Sequence, residues 1–380
     1  MEVRPSNRQH ISAHLALRGF AFRRHGVTIR VGNPGSATMN SALVLLALAA
    51  PLWADAIPQA AVEANTALAL AQQGKFEQAI PHYRAALKLD PRLPGIHLNL
   101  GLAYFKLNRF SDAAPWLERA AKADPTSFQA QVLLGMSYYG AHRFSDAAAW
   151  LKRASTTQPD NTELRFRLAQ SYLWSKQYDS AKDEFKILLA ANPDSAPVHM
   201  LMGEVLDAAN QEEQATAEFQ AAVKASPAEP EVHFGLGYLY WKQKRYEDAR
   251  NEFQAEVVNQ PQHSQALTYL ADAEMHSDQS SNAEEHLRQA LKLDPKIRLA
   301  HLDLGILLTG RDTSDAAAHF REAIRIDPSK PDAHYRLGRL WLSLGRQAEA
   351  DAEFALVKQL AEQRPEPLVA VPGRHADGPQ

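Results

Sequence analysis

Five histidines recur at one fixed spacing, and histidine is a side chain that can bind zinc or transfer protons near neutral pH. Successive members of the set lie 34 residues apart, a multiple of 34 apart, or 33 apart at the end. Zinc needs its nitrogen ligands within about 2.0 to 2.1 Å, whereas such a spacing places one histidine in each unit of a stack. We therefore expect these rings to pack and not to share a metal. The five are His97, His199, His233, His301 and His334.

Clusters of carboxylates are the second candidate for chemistry. They consist of consecutive residues: Asp183-Glu184, Glu212-Glu213 and Glu284-Glu285-His286. Because consecutive residues on a helix point in different directions, these groups are typical of a solvated face. The sequence has no Gly-rich phosphate loop ending in Gly-Lys-Ser/Thr, no His-Glu-x-x-His motif, no Gly-x-Ser-x-Gly turn and no cysteine. It predicts neither an enzyme nor a cofactor or metal site.

The elements that would position these groups repeat every 34 residues. A small residue, Gly or Ala, recurs with this period, and an alanine follows it 12 residues later, or 11 in one shortened unit. A large apolar residue stands four residues beyond each of those alanines, so the two share one helical face. The pattern indicates two helices that cross closely at the small residue. Prolines mark the end of the unit: Pro91, Pro125, Pro159, Pro193, Pro227, Pro261, Pro295 and Pro328.

Each period therefore predicts a helix, a short turn, a second helix and a stop at the proline, which cannot continue a helix. A basic residue or Gln before an aromatic residue marks the turn, as in Arg109-Phe110. Pro81 and Pro115 lie close to this turn, and we expect them in the first turn of the second helix, where the missing N–H has no partner in any case. No segment alternates strands with helices, so an all-α fold is expected.

These columns together resemble the tetratricopeptide repeat (TPR), whose signature has Gly or Ala at position 8, Tyr at 11, Ala at 20, an aromatic residue or Leu at 24, Ala at 27 and Pro at 32. The resemblance implies a right-handed α-solenoid superhelix over residues 57–364. One residue is missing from repeat eight, between Thr309 and Ser314. Position 27 departs from Ala at Leu188, Glu256 and Val357, and we expect departing repeats to be softer. The nine repeats start at residues 60, 94, 128, 162, 196, 230, 264, 298 and 331.

The TPR resemblance also implies that the first helix of each repeat lines a concave groove through positions 2, 5, 9, 12 and 13. Aromatic residues at these positions cluster in repeats three to six. Such rings bury much area at little entropic cost, so we predict that they bind a partner polypeptide. The alternative is that they pack against the neighbouring repeat. The predicted binding residues are Tyr139, Phe166, Trp174, Phe234, Tyr238 and Trp241.

The segment Met39–Ala56 has the pattern of a cleaved export signal. Its apolar core, residues 42–50, is followed by the ending Ala-Asp-Ala, which has the small-x-small arrangement that a signal peptidase accepts. The core is shorter than the roughly 20 residues that span a bilayer as a helix. The alternative is an ordinary apolar helix near the N-terminus.

The two ends of the chain show no repeat. Residues 1–38 carry six arginines and one acidic residue. This composition indicates either a leader that is not translated, with the start at Met39 or slightly upstream, or an organelle transit peptide. Residues 365–380 hold four prolines and two glycines, and we expect a disordered tail.

Composition agrees with an exported scaffold. Without residues 1–56, 35 basic and 42 acidic residues remain, a net charge of −7 that disfavours nucleic acid as a partner. We predict a non-enzymatic protein–protein interaction scaffold of the cell envelope or periplasm that binds a protein or peptide, with no integral membrane span. One alternative is the TPR arm of an enzyme complex such as a glycosyltransferase, of whose position-6 Asn ladder only Asn65 and Asn99 are present. Another is a cytoplasmic TPR adaptor.

Overall fold

The computed structural model describes residues 59–277 and 280–362. The leader (1–38), the export segment Met39–Ala56 and the tail (365–380) lie outside these residues. Contacts divide the described residues into two compact units, with the division between Ala225 and Ser226. The described helices of the first unit are α1 (Gln59–Gln72), α2 (Phe76–Leu89), α3 (Ile96–Lys106), α4 (Phe110–Ala123), α5 (Phe128–Gly140), α6 (Phe144–Thr157), α7 (Thr162–Trp174), α8 (Tyr178–Ala191), α9 (Ala196–Ala208) and α10 (Glu212–Ala225).

The second unit continues the same alternation of helix and turn. Each odd-numbered helix, called an A helix below, pairs with the even-numbered B helix that follows it. Over the described ranges the two units thus hold nine antiparallel hairpins without a β-strand, and the predicted all-α repeat fold is confirmed. The helices of the second unit are α11 (Val232–Lys242), α12 (Tyr246–Asn259), α13 (Ser264–Met275), α14 (Ser280–Leu293), α15 (Arg298–Leu308), α16 (Thr313–Ile326), α17 (Pro331–Ser343) and α18 (Gln347–Glu362).

The two helices of a hairpin cross closely where the sequence has its small residue. A Cβ atom added at Gly101 would lie 2.5 Å from Cγ of Leu117, and one added at Gly237 would lie 2.9 Å from Cδ1 of Phe253. Real Cβ atoms do not approach other atoms so closely. The predicted close crossing, with a large B-helix side chain against the small A-helix residue, is therefore confirmed.

The recurring alanines of the B helices are buried inside each hairpin. All nine, from Ala79 to Ala350, are 0% exposed. The large residue four positions later is buried in the first eight hairpins and only partly buried at Phe354 in the last, where no described repeat follows. The core is therefore built one hairpin at a time, each covering the face of its neighbour.

Pro81 and Pro115 correct one expectation. Helices α2 and α4 begin at the turn aromatic, so both prolines lie in the sixth helical position and not in the first turn. Proline at that depth removes one backbone hydrogen bond. Both prolines are exposed, which allows water to satisfy the carbonyl group that loses its donor.

The turns inside hairpins one to six and nine share a geometry that the sequence pattern did not reveal. Residues before the basic or Gln position, such as Lys176 with a φ of 62° and Lys244 with a φ of 60°, adopt the left-handed conformation. The next residue closes the turn, as when the backbone N–H of Arg245 donates to the carbonyl oxygen of Tyr240 at 2.9 Å. The guanidinium of Arg245 also lies 4.2 Å from the Tyr240 ring, which fixes the turn against the A helix.

This geometry predicts that Lys176→Gly stabilises the protein. A side chain in the left-handed region costs about 1 to 2 kcal/mol, and glycine removes that cost while adding somewhat less freedom to the unfolded chain. We expect a small rise in the free energy of unfolding, about 0.5 to 1 kcal/mol, measured by urea denaturation. The matched control is Gly74→Ala, because Gly74 has a φ of 75° in the first hairpin and should lose a similar amount. Equal stabilities for all three proteins would contradict the assigned turn.

Candidate functional site

The candidate site is the face of the A helices formed by repeat positions 2, 5, 9, 12 and 13. It is called the groove face below. Within each unit, successive A helices contact one another as well as their own B helices. The A helices therefore line one side of each stack. Their groove-face side chains come from neighbouring repeats and lie beside one another.

In the first unit, Tyr139 and Trp174 form an aromatic pair on this face. Their ring centroids lie 5.3 Å apart, and Phe144 lies 4.9 Å from Trp174. The Tyr139 hydroxyl donates a hydrogen bond of 2.9 Å to Oε1 of Gln170. Burial raises the pKa of Tyr139 to about 12, so this hydroxyl remains a donor at neutral pH. The pair is thus held in place before any partner arrives.

Arg167, at position 6, is a cation directly beside this face, and its importance was not apparent from the sequence. Its guanidinium lies 5.7 Å from the Tyr139 ring and 5.9 Å from the Phe166 ring. It also donates to Glu163 at 3.1 Å. Phe166 itself is partly exposed, so this face offers an accessible ring beside a cation.

In the second unit, Tyr238 and Trp241 stack with centroids 5.8 Å apart. Tyr269 of the next A helix lies across both rings, 5.5 Å from Tyr238 and 5.2 Å from Trp241. The indole Nε1 of Trp241 donates to the carboxylate of Asp272, which is only 4% exposed. Trp241 therefore has two roles here, because it presents a partly exposed ring and also satisfies a buried charge.

Phe234 lies below this surface. It is 1% exposed, and its ring packs 4.9 Å from the His263 ring and 5.7 Å from Phe253. In this structure Phe234 supports the groove face from the core. Of the six predicted binding residues, the other five are partly exposed.

A buried carboxylate fixes the start of α11, directly beside the groove face. Glu256 is 0% exposed and accepts hydrogen bonds from the backbone N–H groups of Glu231 at 3.0 Å and Phe234 at 3.1 Å. It therefore caps the helix from the neighbouring B helix. Glu256 replaces the usual Ala at position 27, so this departure from the repeat pattern supplies a cap that the pattern alone did not indicate.

Glu231 and His263 complete this cap. Glu231 has a φ of 72°, a conformation that Gly95 adopts at the same repeat position in the first unit. Its carboxylate accepts from Nε2 of His263 at 3.1 Å, while Nδ1 of His263 accepts from the backbone N–H of Ala266. Burial lowers the pKa of His263, but the hydrogen bond and charge of Glu231 outweigh it and leave that pKa raised. These contacts hold a strained backbone in place at the groove edge.

The periodic histidines connect the two helices of a hairpin to each other and to the preceding turn. His199 places Nε2 2.7 Å from the carbonyl oxygen of Pro193 and Nδ1 2.6 Å from the carboxylate of Glu218. In the ranges 59–277 and 280–362, no group of three or more metal-binding side chains is found. The equivalent position-4 to position-23 pairs are Glu63–His82, His97–Trp116, Arg165–Glu184, His233–Glu252, His301–His319 and His334–Glu353.

Family models of the tetratricopeptide repeat match most of the helical region. The matched ranges are 67–108, 94–127, 138–205, 200–266, 234–297 and 306–365. The chain belongs to the tetratricopeptide repeat family. TPR proteins are generally scaffolds for protein interaction, and the chain has the repeat architecture of that class. No curated protein sequence matches the chain significantly.

Solved TPR structures resemble this chain in fold. The Cut9–Hcn1 hetero-tetramer of APC/C matches with a TM-score of 0.50 and 15% identity, over 72% of this chain and 55% of that one. YrrB, described as a TPR protein with an unusual peptide-binding site, matches with a TM-score of 0.40 and 18% identity, over 47% of this chain and 93% of its own. A MamA structure matches with a TM-score of 0.39 and 22% identity, over 42% and 95%. At 15% identity, the Cut9–Hcn1 match shows a similar fold and nothing more.

No helix in residues 59–277 or 280–362 is both long and apolar enough to cross a bilayer.

Proposed function

We propose that this TPR protein is a non-enzymatic scaffold that holds a segment of a partner protein against its groove face. The observation that carries the proposal is the set of partly exposed aromatic rings on the A helices, already held by stacking and hydrogen bonds. Rings that are ordered before binding lose little entropy when a partner covers them. In the first unit Tyr139 and Trp174 supply such rings, and in the second unit Tyr238 and Trp241 do. Phe166 adds a partly exposed ring beside the Arg167 guanidinium.

The charged side chains that contact these aromatic rings have partners of their own. Arg167 is paired with Glu163, and Asp272 accepts from Trp241. These contacts stabilise and orient the aromatic rings, and they suit recognition of a polypeptide with apolar side chains better than activation of a small substrate.

An affinity capture tests this proposal. Residues 57–380 serve as bait in an extract of the cell envelope, beside a matched bait that carries Phe166→Ala and Tyr238→Ala. We expect one or more proteins to be retained by the first bait and lost from the second at equal loading. Retention by both baits would place the binding surface elsewhere.

We further propose that the scaffold acts in the cell envelope or periplasm after removal of Met39–Ala56. This proposal is supported by the apolar core, by the Ala-Asp-Ala ending and by the absence of cysteine from the whole sequence. N-terminal sequencing of the protein from the exported fraction should begin at Ile57. A protein that retains the segment and stays in the cytoplasmic fraction would contradict export.

A further inference from the structure

Repeat eight, formed by α15 and α16, joins its two helices through a pair of histidines. Nδ1 of His301 lies 2.9 Å from Nδ1 of His319, and the ring centroids are 5.1 Å apart. His301 is 8% exposed, and the His319 side chain is 16% exposed. In repeats five, six and nine, the position-4 histidine contacts a glutamate of the B helix. In repeat eight it contacts a second histidine instead.

The surrounding acceptors assign the protons of this pair. Nε2 of His301 lies 3.1 Å from the carbonyl oxygen of Pro295, so it carries a proton and donates it. Nδ1 of the neutral His301 ring is then an acceptor, and Nδ1 of His319 must donate to it. A second proton on His301 would have to occupy the same 2.9 Å space as the His319 proton. The contact consequently holds only while at least one ring stays neutral.

The ionisable groups around the pair do not remove this conflict. On α16, Asp315 lies 3.6 Å from Nε2 of His319, and Glu322 is bound to Arg325. From α14, Arg288 pairs with Asp315 at 3.6 Å, bringing a positive charge towards the rings. Ionisable groups on the flanking helices pair elsewhere: Glu274 of α13 with His286, Asp332 of α17 with Arg298, and His334 of α17 with Glu353.

We propose that the His301–His319 contact makes repeat eight an acid-sensitive joint, which opens on mild acidification while the histidine–glutamate hairpins stay closed. An opened α15–α16 hairpin withdraws its groove face and uncovers the repeats on either side of it. The joint would let pH control how much of the second unit can hold a partner.

The direction of the pH effect follows from proton counting. An unfolded histidine has a pKa near 6.5, so the opened repeat binds two protons in mild acid, whereas the closed pair accommodates one. Burial lowers the pKa of His319 in the folded protein, with further lowering from His301 and Arg288, and these effects outweigh the opposing charges of Asp315 and Glu322. A lowered folded pKa contributes stability above about pH 6.5 and loses it as the pH falls towards the folded value. One excluded proton raises the open fraction about tenfold between pH 7.5 and 5.5.

Hydrogen exchange followed by mass spectrometry tests the joint in the chain from residue 57 to 380. Amide protection in 298–326 is compared with protection in repeat six at pH 7.5 and 5.5, after correction for the intrinsic rate. We expect repeat eight to lose about tenfold more protection than repeat six in the wild type. His319→Glu, which recreates the pair found at His233–Glu252, should abolish the difference.

A second variant covers the case in which His319→Glu fails to fold. His301→Gln keeps an amide donor for the Pro295 carbonyl, as Gln131 does for Pro125 in repeat three, and removes one titrating ring. It should reduce the excess loss, because the conflict between the two rings is removed while burial still lowers the pKa of His319. Equal pH dependence of repeats six and eight in the wild type would overturn the proposal, as would an unchanged excess loss in either folded variant.

Discussion

Gly237→Leu should destabilise the sixth hairpin by about 1 to 3 kcal/mol or more and lower the melting temperature of the protein. The first added carbon alone would lie 2.9 Å from the Phe253 ring and 3.1 Å from Cβ of Glu252. The Phe253 ring cannot move away freely, because it is 0% exposed and packs against Tyr269 and Phe234. Since each repeat is stabilised by its neighbours, the loss should extend to repeat seven.

The matched control for this prediction is taken from the chain itself. Repeat seven has Ala271 opposite Leu287 at the equivalent positions, and both are 0% exposed. The double variant Gly237→Ala with Phe253→Leu copies that pair and should retain more stability than Gly237→Leu. Thermal and urea denaturation measure both variants, and an unchanged melting temperature for Gly237→Leu would show that the two helices do not cross there.

Phe166→Ala is expected to weaken partner binding about thirtyfold, or 2 kcal/mol, while the melting temperature stays close to that of the wild type. Its ring is partly exposed and lies beside Arg167, so its removal uncovers little of the core. Tyr238→Ala should also weaken binding. Affinity is measured by titration calorimetry with the captured partner, alongside a thermal melt of each variant.

Two further variants separate binding from packing. Phe234→Ala removes a ring that is 1% exposed, so it should cost about 3 to 5 kcal/mol of stability. Trp241→Ala should lose affinity and stability together, because Asp272 would lose its indole donor while remaining buried. If affinity falls only in step with stability across the whole set, these rings serve the repeat core and do not bind a partner.

The hairpins could be predicted from the sequence because their determinants recur in the same columns. A glycine in an A helix and a large residue in the following B helix form one contact in every repeat, and comparing repeats reveals both. The side-chain pairs that join the two helices of a hairpin were harder to predict. His199 meets Glu218 across the hairpin, and this pairing becomes visible only when two separate columns are brought together.

Burial of a groove-face residue was harder to predict than its helix. Phe166 and Phe234 occupy the same repeat position, yet the first is partly exposed and the second is 1% exposed. The difference lies at the boundary with the following repeat, where His263 at the end of repeat six and Tyr269 of repeat seven cover Phe234. The position of a residue within its repeat therefore specifies the direction of its side chain. The size of the neighbouring side chains decides how much of that side chain is exposed.

The isolated departures from the pattern were the least predictable. Glu256 at a column of small residues looked like a softening change, but it caps the start of α11 through two backbone N–H groups. Its partner Glu231 lies 25 residues earlier, and the left-handed backbone of that residue has no signal in its side-chain type. Such contacts depend on geometry that a single sequence does not contain.

Site-directed photo-cross-linking tests the central claim, that the groove face binds the partner polypeptide. A photoreactive phenylalanine is placed at Met136 or Met200 on the A helices, or at Lys186 on an outer B helix, and the adducts with the captured partner are identified. Met136 and Met200 are partly exposed, and the Lys186 side chain is 65% exposed. We expect adducts from both A-helix positions and none from Lys186. Adducts only from Lys186 would contradict binding at the groove face.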